Sequence, residues 1–397
     1  MEPVEITEGG IRLRLLLPDD APAVAEACND PLTQRFVPGM PQPYTVADAL
    51  HWITEGSTAA WDAGGAAWAI ADPDNDELLG CVGLSRAVPE RRQIEIGYWM
   101  VPRARGRGAA TAATVAATGH ALRNGFDRVE LLTDGANIAS QRVAVAAGFT
   151  HEGVRRGAAL GSATAGGPGP ADGAAPRDDL VVWARLAGDP AGPTPRALPD
   201  LPGGALTDGV VLLRPLGPDD AEFAYRLQSL PDVVATSVPP VTPTRGGIET
   251  QCALAPGKWL LGRRADLVIC DAATGTPTGR LGLYHQEPEI GQAMIGYSML
   301  PQWRGRGYTV RAVRLLARWA FDNTTIARLI AGTLPGNTSS QRVLERAGFT
   351  REGLLRGRLP GPDGTRIDDV QYALLPAGPA DDGSGQAAIG SANAIRP

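Results

Sequence analysis

Two stretches of this 397-residue chain carry the residue types best suited to chemistry: Arg103-Ala104-Arg105-Gly106-Arg107-Gly108-Ala109 and Gln302-Trp303-Arg304-Gly305-Arg306-Gly307-Tyr308. Each follows a short apolar run, Ile94-Glu95-Ile96-Gly97-Tyr98-Trp99-Met100 or Ala293-Met294-Ile295-Gly296-Tyr297-Ser298-Met299, and each precedes a long helical pattern. Strand, glycine turn and helix in that order make an anion site. The first helical turn has backbone N–H groups without intrahelical partners, and the macrodipole makes that end partly positive. A phosphate can sit there, glycines let the backbone approach it, and arginines add permanent charge and forked donors. One copy alone reads as readily as a solvated loop. Its recurrence in the same context weighs against that.

Both turns must be positioned by repeated elements. Ile11 to Ala21 and Val211 to Ala221 each read as an alternating strand followed by Pro-Asp-Asp at a helix start. Strands are expected at 66–72, 78–85 and 94–101, and again at 266–271, 278–284 and 293–300. Together they form an antiparallel meander feeding the turn. Helices follow over about 111–124 and 309–323, then strands over 128–133 and 328–333. Asn137-Ile138-Ala139-Ser140 and Asn337-Thr338-Ser339-Ser340 open further helices, which end in Ala-Gly-Phe at 147–149 and 347–349. The segment from Gly153 to Asp178 reads as a flexible Gly/Ala/Pro loop. The repeat implies a first domain over 1–187, a linker over 188–206, a second domain over 207–377 and a disordered tail over 378–397.

Composition narrows the function classes. A formal net charge of −6 gives no general nucleic-acid-binding surface. The four cysteines, Cys28, Cys81, Cys252 and Cys270, have no metal-ligand or CxxC spacing, so no metal is expected and the thiols read as reduced. The acidic start Met1-Glu2-Pro3-Val4-Glu5 does not resemble a signal peptide, and no apolar run approaches the roughly 18 residues of a membrane span. A cytoplasmic location is the expectation.

The order of elements, the R/QxxGxG turn after IGY, and the later NxxSQRVxxxAGF, all duplicated, resemble the GNAT superfamily of acyl-CoA N-acyltransferases. Within it the chain is most similar to the Rim-type N-acetyltransferases and related small-molecule enzymes. The resemblance covers nearly all of both halves. It implies an α/β fold, two GNAT domains in tandem, each a mostly antiparallel mixed sheet flanked by helices with a splayed cleft for acyl-CoA. It implies that the turns hold the CoA pyrophosphate, through Arg103, Arg105, Gly106, Arg107, Gly108, Ala109 and Ala110 and through Gln302, Arg304, Gly305, Arg306, Gly307, Tyr308 and Thr309. Met100, Val101, Met299 and Leu300 would pair with the pantetheine arm, which Asn137 and Asn337 would also contact. Ser140 and Ser340 would protonate the departing thiolate. Helix capping is the alternative for these serines and asparagines.

The implied reaction is attack of a primary amine on the thioester of acetyl-CoA, or of another acyl-CoA. At pH 7, deprotonating a lysine-like amine costs about 4.6 kcal/mol and an N-terminal amine about 1 kcal/mol, so a base is useful. Rim-type relatives can place a glutamate where this chain has Ala159 and Leu359. Glu95 becomes the candidate base, with Met294 at the matching place in the second half. The leading expectation is a small-molecule or peptide amine acceptor, with an intramolecular pseudo-dimer acting as a monomer and no nucleic-acid or membrane partner. Protein N-termini and a non-catalytic acyl-CoA-binding module are the alternatives.

Overall fold

The computed structural model describes residues 1–37, 39–160, 177–361 and 364–376. The expected tail, and most of the Gly/Ala/Pro segment before Asp178, lie outside these residues. The chain divides into two units: Met1–Pro199 with Leu216–Tyr225 and Pro243–Ala265, and Asp200–Pro215 with Arg226–Thr242 and everything from Asp266 on.

In the first unit the strands are β1 (Ile6–Glu8), β2 (Ile11–Arg14), β3 (Ala66–Ala71), β4 (Leu78–Val88), β5 (Gln93–Met100), β6 (Arg128–Asp134), β7 (Thr150–Leu160) and β8 (Arg177–Leu186). They form one sheet in the order β1-β2-β3-β4-β5-β6-β8-β7. The helices are α1 (Ala21–Cys28), α2 (Pro31–Phe36), α3 (Val46–His51), α4 (Ser57–Asp62), α5 (Ala109–Arg123) and α6 (Ile138–Ala146). The meander appears where alternation placed it. Gly153 to Leu160 belongs to β7 rather than to a loop, because its backbone pairs with β8 across a register shift between Arg155 and Ala159.

The second unit repeats the sheet with β9 (Leu206–Thr207), β10 (Val211–Pro215), β11 (Arg264–Asp271), β12 (Pro277–Glu287), β13 (Gln292–Met299), β14 (Arg328–Thr333), β15 (Thr350–Pro360) and β16 (Arg366–Leu374), ordered β15-β16-β14-β13-β12-β11-β10-β9. Its stretch of chain carries α7 (Ala221–Gln228), α8 (Pro231–Thr236), α9 (Arg245–Leu260), α10 (Tyr308–Asn323) and α11 (Thr338–Ala347). Although α9 follows β10 in sequence, it belongs to the first unit, where Gly257 lies against Gln141 and Ile138 of α6.

Side-chain size decides how closely the long helices lie on their sheets. In α5 the buried apolar positions are all alanine, Ala109, Ala113, Ala116, Ala117 and Ala121, and they pack in the core with Trp68, Ile94 and Ile96. In α10 the buried positions include Ala312, Val313, Leu316 and Trp319. No described helix is long and apolar enough to cross a membrane.

Candidate active site

The cleft originates in strand pairing. β5 and β6 run parallel and stay paired from Gln93/Arg128 to Ile96/Leu131, then part. β13 and β14 pair only from Gln292/Arg328 to Met294/Ile330. In each unit the separated end of the strand leads through a short 3-10 turn to the glycines and the long helix. This opening is the splay expected from the resemblance.

Gly106 (φ +74°) and Gly108 (φ +84°), like Gly305 (+73°) and Gly307 (+79°), hold left-handed conformations that glycine adopts without steric cost. A Cβ at any of the four would meet nothing within 4 Å, so packing does not require glycine there. Backbone conformation does, and the open space beside the four leaves room for a ligand to approach. Gly108 and Gly307 are the N-cap residues of α5 and α10, and neither end is capped by a side chain. The donor set thus fits a phosphate. In the second unit a cavity of about 480 Å³ borders this turn and is also lined by Met299, Arg304, Asn337, Ser340, Arg342 and Arg346.

The arginines of the turns divide by role. Arg105 donates to Asp30 at 2.6 Å, to Thr33 Oγ1 at 3.0 Å and to the Met100 carbonyl at 3.2 Å. Arg304 likewise bonds Asp232 and the Met299 carbonyl, the latter at 2.9 Å. These two brace the turn against the N-terminal end of α2 or α8. The carboxylate comes from a different position in each half, since Asp30 precedes Pro31 whereas Asp232 follows Pro231. Burial alone would raise the Asp30 carboxyl, but hydrogen bonds from Arg105 and Thr33 hold it below its ordinary value. The Arg304 hydrogen bond lowers Asp232 in the same way. Arg103 pairs with Glu77, and Arg306 stacks 5.0 Å from the Trp303 ring centroid.

Asn137 and Asn337 are N-caps: each Oδ1 accepts from the backbone N–H of Ser140 or Ser340 at 3.1 Å. Capping fixes the two serines. Each serine Oγ stands 2.8 Å from a phenol oxygen, Ser140 from Tyr98 and Ser340 from Tyr297. The tyrosines belong to the IGY segments but were assigned no role on sequence grounds; their recurrence at matching positions was the available signal. Burial raises both phenols, Tyr297 to about 12, and keeps them protonated donors at neutral pH.

Glu95 lies elsewhere. Strand alternation puts it on the face opposite Tyr98, and its carboxylate accepts from Arg86 at 2.8 and 3.0 Å. One aspartate of each Asp-Asp pair, Asp178-Asp179 and Asp368-Asp369, matches between the halves. Hydrogen bonds from Gly157 N–H to Asp179 and from Gly357 N–H to Asp368 make those two residues equivalent. The matching register of β7/β8 and β15/β16 then sets Asp178 opposite Ile367, and Leu180 opposite Asp369, between the repeats. Among the described residues no group of three His, Cys, Asp or Glu side chains could hold a metal.

A family model described as "Acetyltransferase (GNAT) domain" matches residues 11–150 and again 211–350. The probable N-acetyltransferase YjcK of Bacillus subtilis is 44% identical over 64 residues, 16% of this chain and 35% of that protein. The N-acetyltransferase YoaA of the same organism, described as uncharacterized, is 28% identical over 147 residues, 36% of this chain and 81% of that protein. The chain spans about a third of the first curated relative it matches and about half of the next two. Among solved structures, Mycobacterium smegmatis RimJ in complex with CoA-disulfide is 26% identical, with a TM-score of 0.39, covering 43% of this chain and 86% of that one.

Proposed function

Because this chain belongs to the GNAT acetyltransferase family, with one such domain in each half, we propose that it transfers an acetyl group from acetyl-CoA to the primary amine of a small molecule or peptide by direct attack. The observation that carries this reading is the 2.8 Å tyrosine–serine hydrogen bond, present in both halves beside the end of the splayed strand. Acetyl-CoA supplies the activated thioester. In the proposed reaction the glycine turn and the uncapped helix start bind the pyrophosphate, and the backbone beyond Met100 and Met299 orients the pantetheine arm. Ser140 or Ser340 donates its Oγ–H to the leaving sulfur while the phenol O–H of Tyr98 or Tyr297 donates to the serine oxygen. The amine loses a proton as it attacks, so a base lowers the barrier for acceptors of high pKa.

The test measures CoA release from acetyl-CoA over a panel of small amines and short peptides, with the wild-type chain, Ser140→Ala, Ser340→Ala and the double variant. General acid catalysis typically contributes about 10²–10⁴-fold. The double variant should lose that much while still binding acetyl-CoA. Unchanged rates in all three variants would remove the serines from the mechanism.

A further inference from the structure

Resting on that reading, we propose that α9, although it lies in the second half of the sequence, is a positioning element of the first active site. Its residues Gly257 and Leu254 hold Gln141 and the turn at Gly135, and through them Ser140. The C-terminal end of α9 is fastened to the first unit. Trp259 Nε1 donates to the Pro199 carbonyl at 3.0 Å, and Leu260 is buried in the core that contains Trp68, Ile94 and Phe149. Leu254 and Gly257, three residues apart, share one face of the helix. That face meets the start of α6. A Cβ on Gly135 would stand 3.2 Å from Leu254 Cδ2, and a Cβ on Gly257 would stand 3.2 Å from Gln141 Oε1 and 3.3 Å from Ile138 Cδ1.

Gln141 is the link to the chemistry. Its Nε2 donates to the Gly135 carbonyl at 2.9 Å and to the Asp134 carbonyl at 3.3 Å, and the Asp134 carbonyl also accepts from Asn137 N–H at 3.0 Å. The side chain thus ties down the turn between β6 and α6 from which Asn137 caps Ser140, whose Oγ meets Tyr98. Gln341 makes the same two bonds in the second unit, at 2.9 and 3.4 Å, but stays partly exposed. Gln141 is 1% exposed. Enclosure is what α9 adds, and it leaves Gln141 Oε1 buried without a hydrogen-bond partner. Burying an unpaired acceptor is costly, and so is glycine in a helix interior relative to alanine. Both costs are borne at one contact, where any side chain at 257 would push Gln141 away from the turn. The gain is an amide that cannot swing out into water, and with it a fixed acid at Ser140.

The test uses the full chain with Ser340→Ala, so that CoA release from acetyl-CoA reports the first site alone. Into it go Gly257→Val, which presses on Gln141, Gln141→Ala, which removes both the donor and the atoms that valine would meet, and the pair together. Each single variant should lower kcat at least about tenfold, because rate falls steeply when a catalytic group is displaced. KM for acetyl-CoA should stay within twofold, since neither glycine turn is touched. The pair should fall no further than Gln141→Ala, because Gly257 acts through that side chain. Gly257→Val made instead with Ser140→Ala should leave the second site within twofold, which a general loss of folding would not. Amide hydrogen exchange gives a readout free of turnover: in Gly257→Val residues 134–146 should exchange at least about tenfold faster, with 334–346 unchanged. Unaltered kcat together with unaltered exchange at 134–146 would overturn the role of α9 and leave acetyl transfer standing. Equal losses at both sites would overturn it as well. If the wild type releases no CoA with any amine, acetyl transfer fails, and exchange decides the role of α9 by itself: faster exchange confined to 134–146 supports it, and unchanged exchange there refutes it.

Discussion

Replacing the phenols separates positioning from chemistry. Tyr98→Phe, made with Ser340→Ala so that only the first unit contributes, removes the hydroxyl 2.8 Å from Ser140 Oγ and otherwise preserves a half-buried ring. The serine oxygen then loses a partner at the moment its own proton moves toward the leaving sulfur. An unsatisfied buried group costs about 1–3 kcal/mol, which corresponds to roughly a 5- to 150-fold fall in kcat if the whole cost is felt in the transition state. KM for acetyl-CoA should hardly change, because neither glycine turn nor helix start is touched. Combining Tyr98→Phe with Ser140→Ala should cost no more than Ser140→Ala alone, since the phenol acts through the serine. The raised phenol stays protonated below its shifted value, and for Tyr297, at about 12, this means the tyrosine imposes no alkaline limb up to about pH 10. The assay is steady-state CoA release as a function of acetyl-CoA concentration and pH. Wild-type kcat in Tyr98→Phe, or losses that multiply in the double variant, would refute the serine–tyrosine relay.

Other outcomes follow from the same geometry. Asp30→Ala should loosen the turn that Arg105 braces and raise KM for acetyl-CoA severalfold with little change in kcat, since a partly exposed ion pair contributes about 1 kcal/mol; steady-state kinetics of the first unit would show it, and equal KM and kcat losses would contradict it. Burial pushes His120 and His151 below the ordinary histidine value, with Arg123 adding to the effect on His120 and Arg263 to that on His151. The unfolded chain then binds more protons near and below pH 6.5, so stability present at pH 7.5 is lost as pH falls through that range. Thermal melts at pH 7.5 and 5.5 should differ, and the difference should shrink in His120→Asn/His151→Asn. Burial raises the Cys28 thiol to about 11 and Cys81 to about 12, so native protein at pH 8 should leave both unlabelled by iodoacetamide while denatured protein is labelled throughout.

The parts of the site that were legible in the sequence are those specified locally. A glycine turn between an apolar run and a helix depends on adjacent residues, and so does an asparagine three residues before the serine it caps. What was not legible depends on residues far apart in the chain. Tyr98 and Ser140 are 42 residues apart, and only the parting of β5 from β6 brings their oxygens together. The brace on the turn escaped notice because its carboxylate sits at non-matching positions, Asp30 and Asp232, so alignment of the halves hides what geometry retains. Helix α9 contains Gly246, Gly247, Pro256 and Gly257, residues that ordinarily argue against a helix. Gly257 is explained by its close contact with α6 rather than by local propensity.

The most direct test of the account is a calorimetric titration of the full chain with acetyl-CoA, repeated for Gly106→Val and Gly305→Val. Since a Cβ at either glycine meets no protein atom within 4 Å, each variant should fold, with about 1–2 kcal/mol of strain from the left-handed backbone. The new side chain would stand where the pyrophosphate must approach. Two sites per chain in the wild type and one in each variant is the predicted result. Absence of binding, or a stoichiometry that neither substitution changes, would contradict the claim that the two glycine turns hold the acetyl donor.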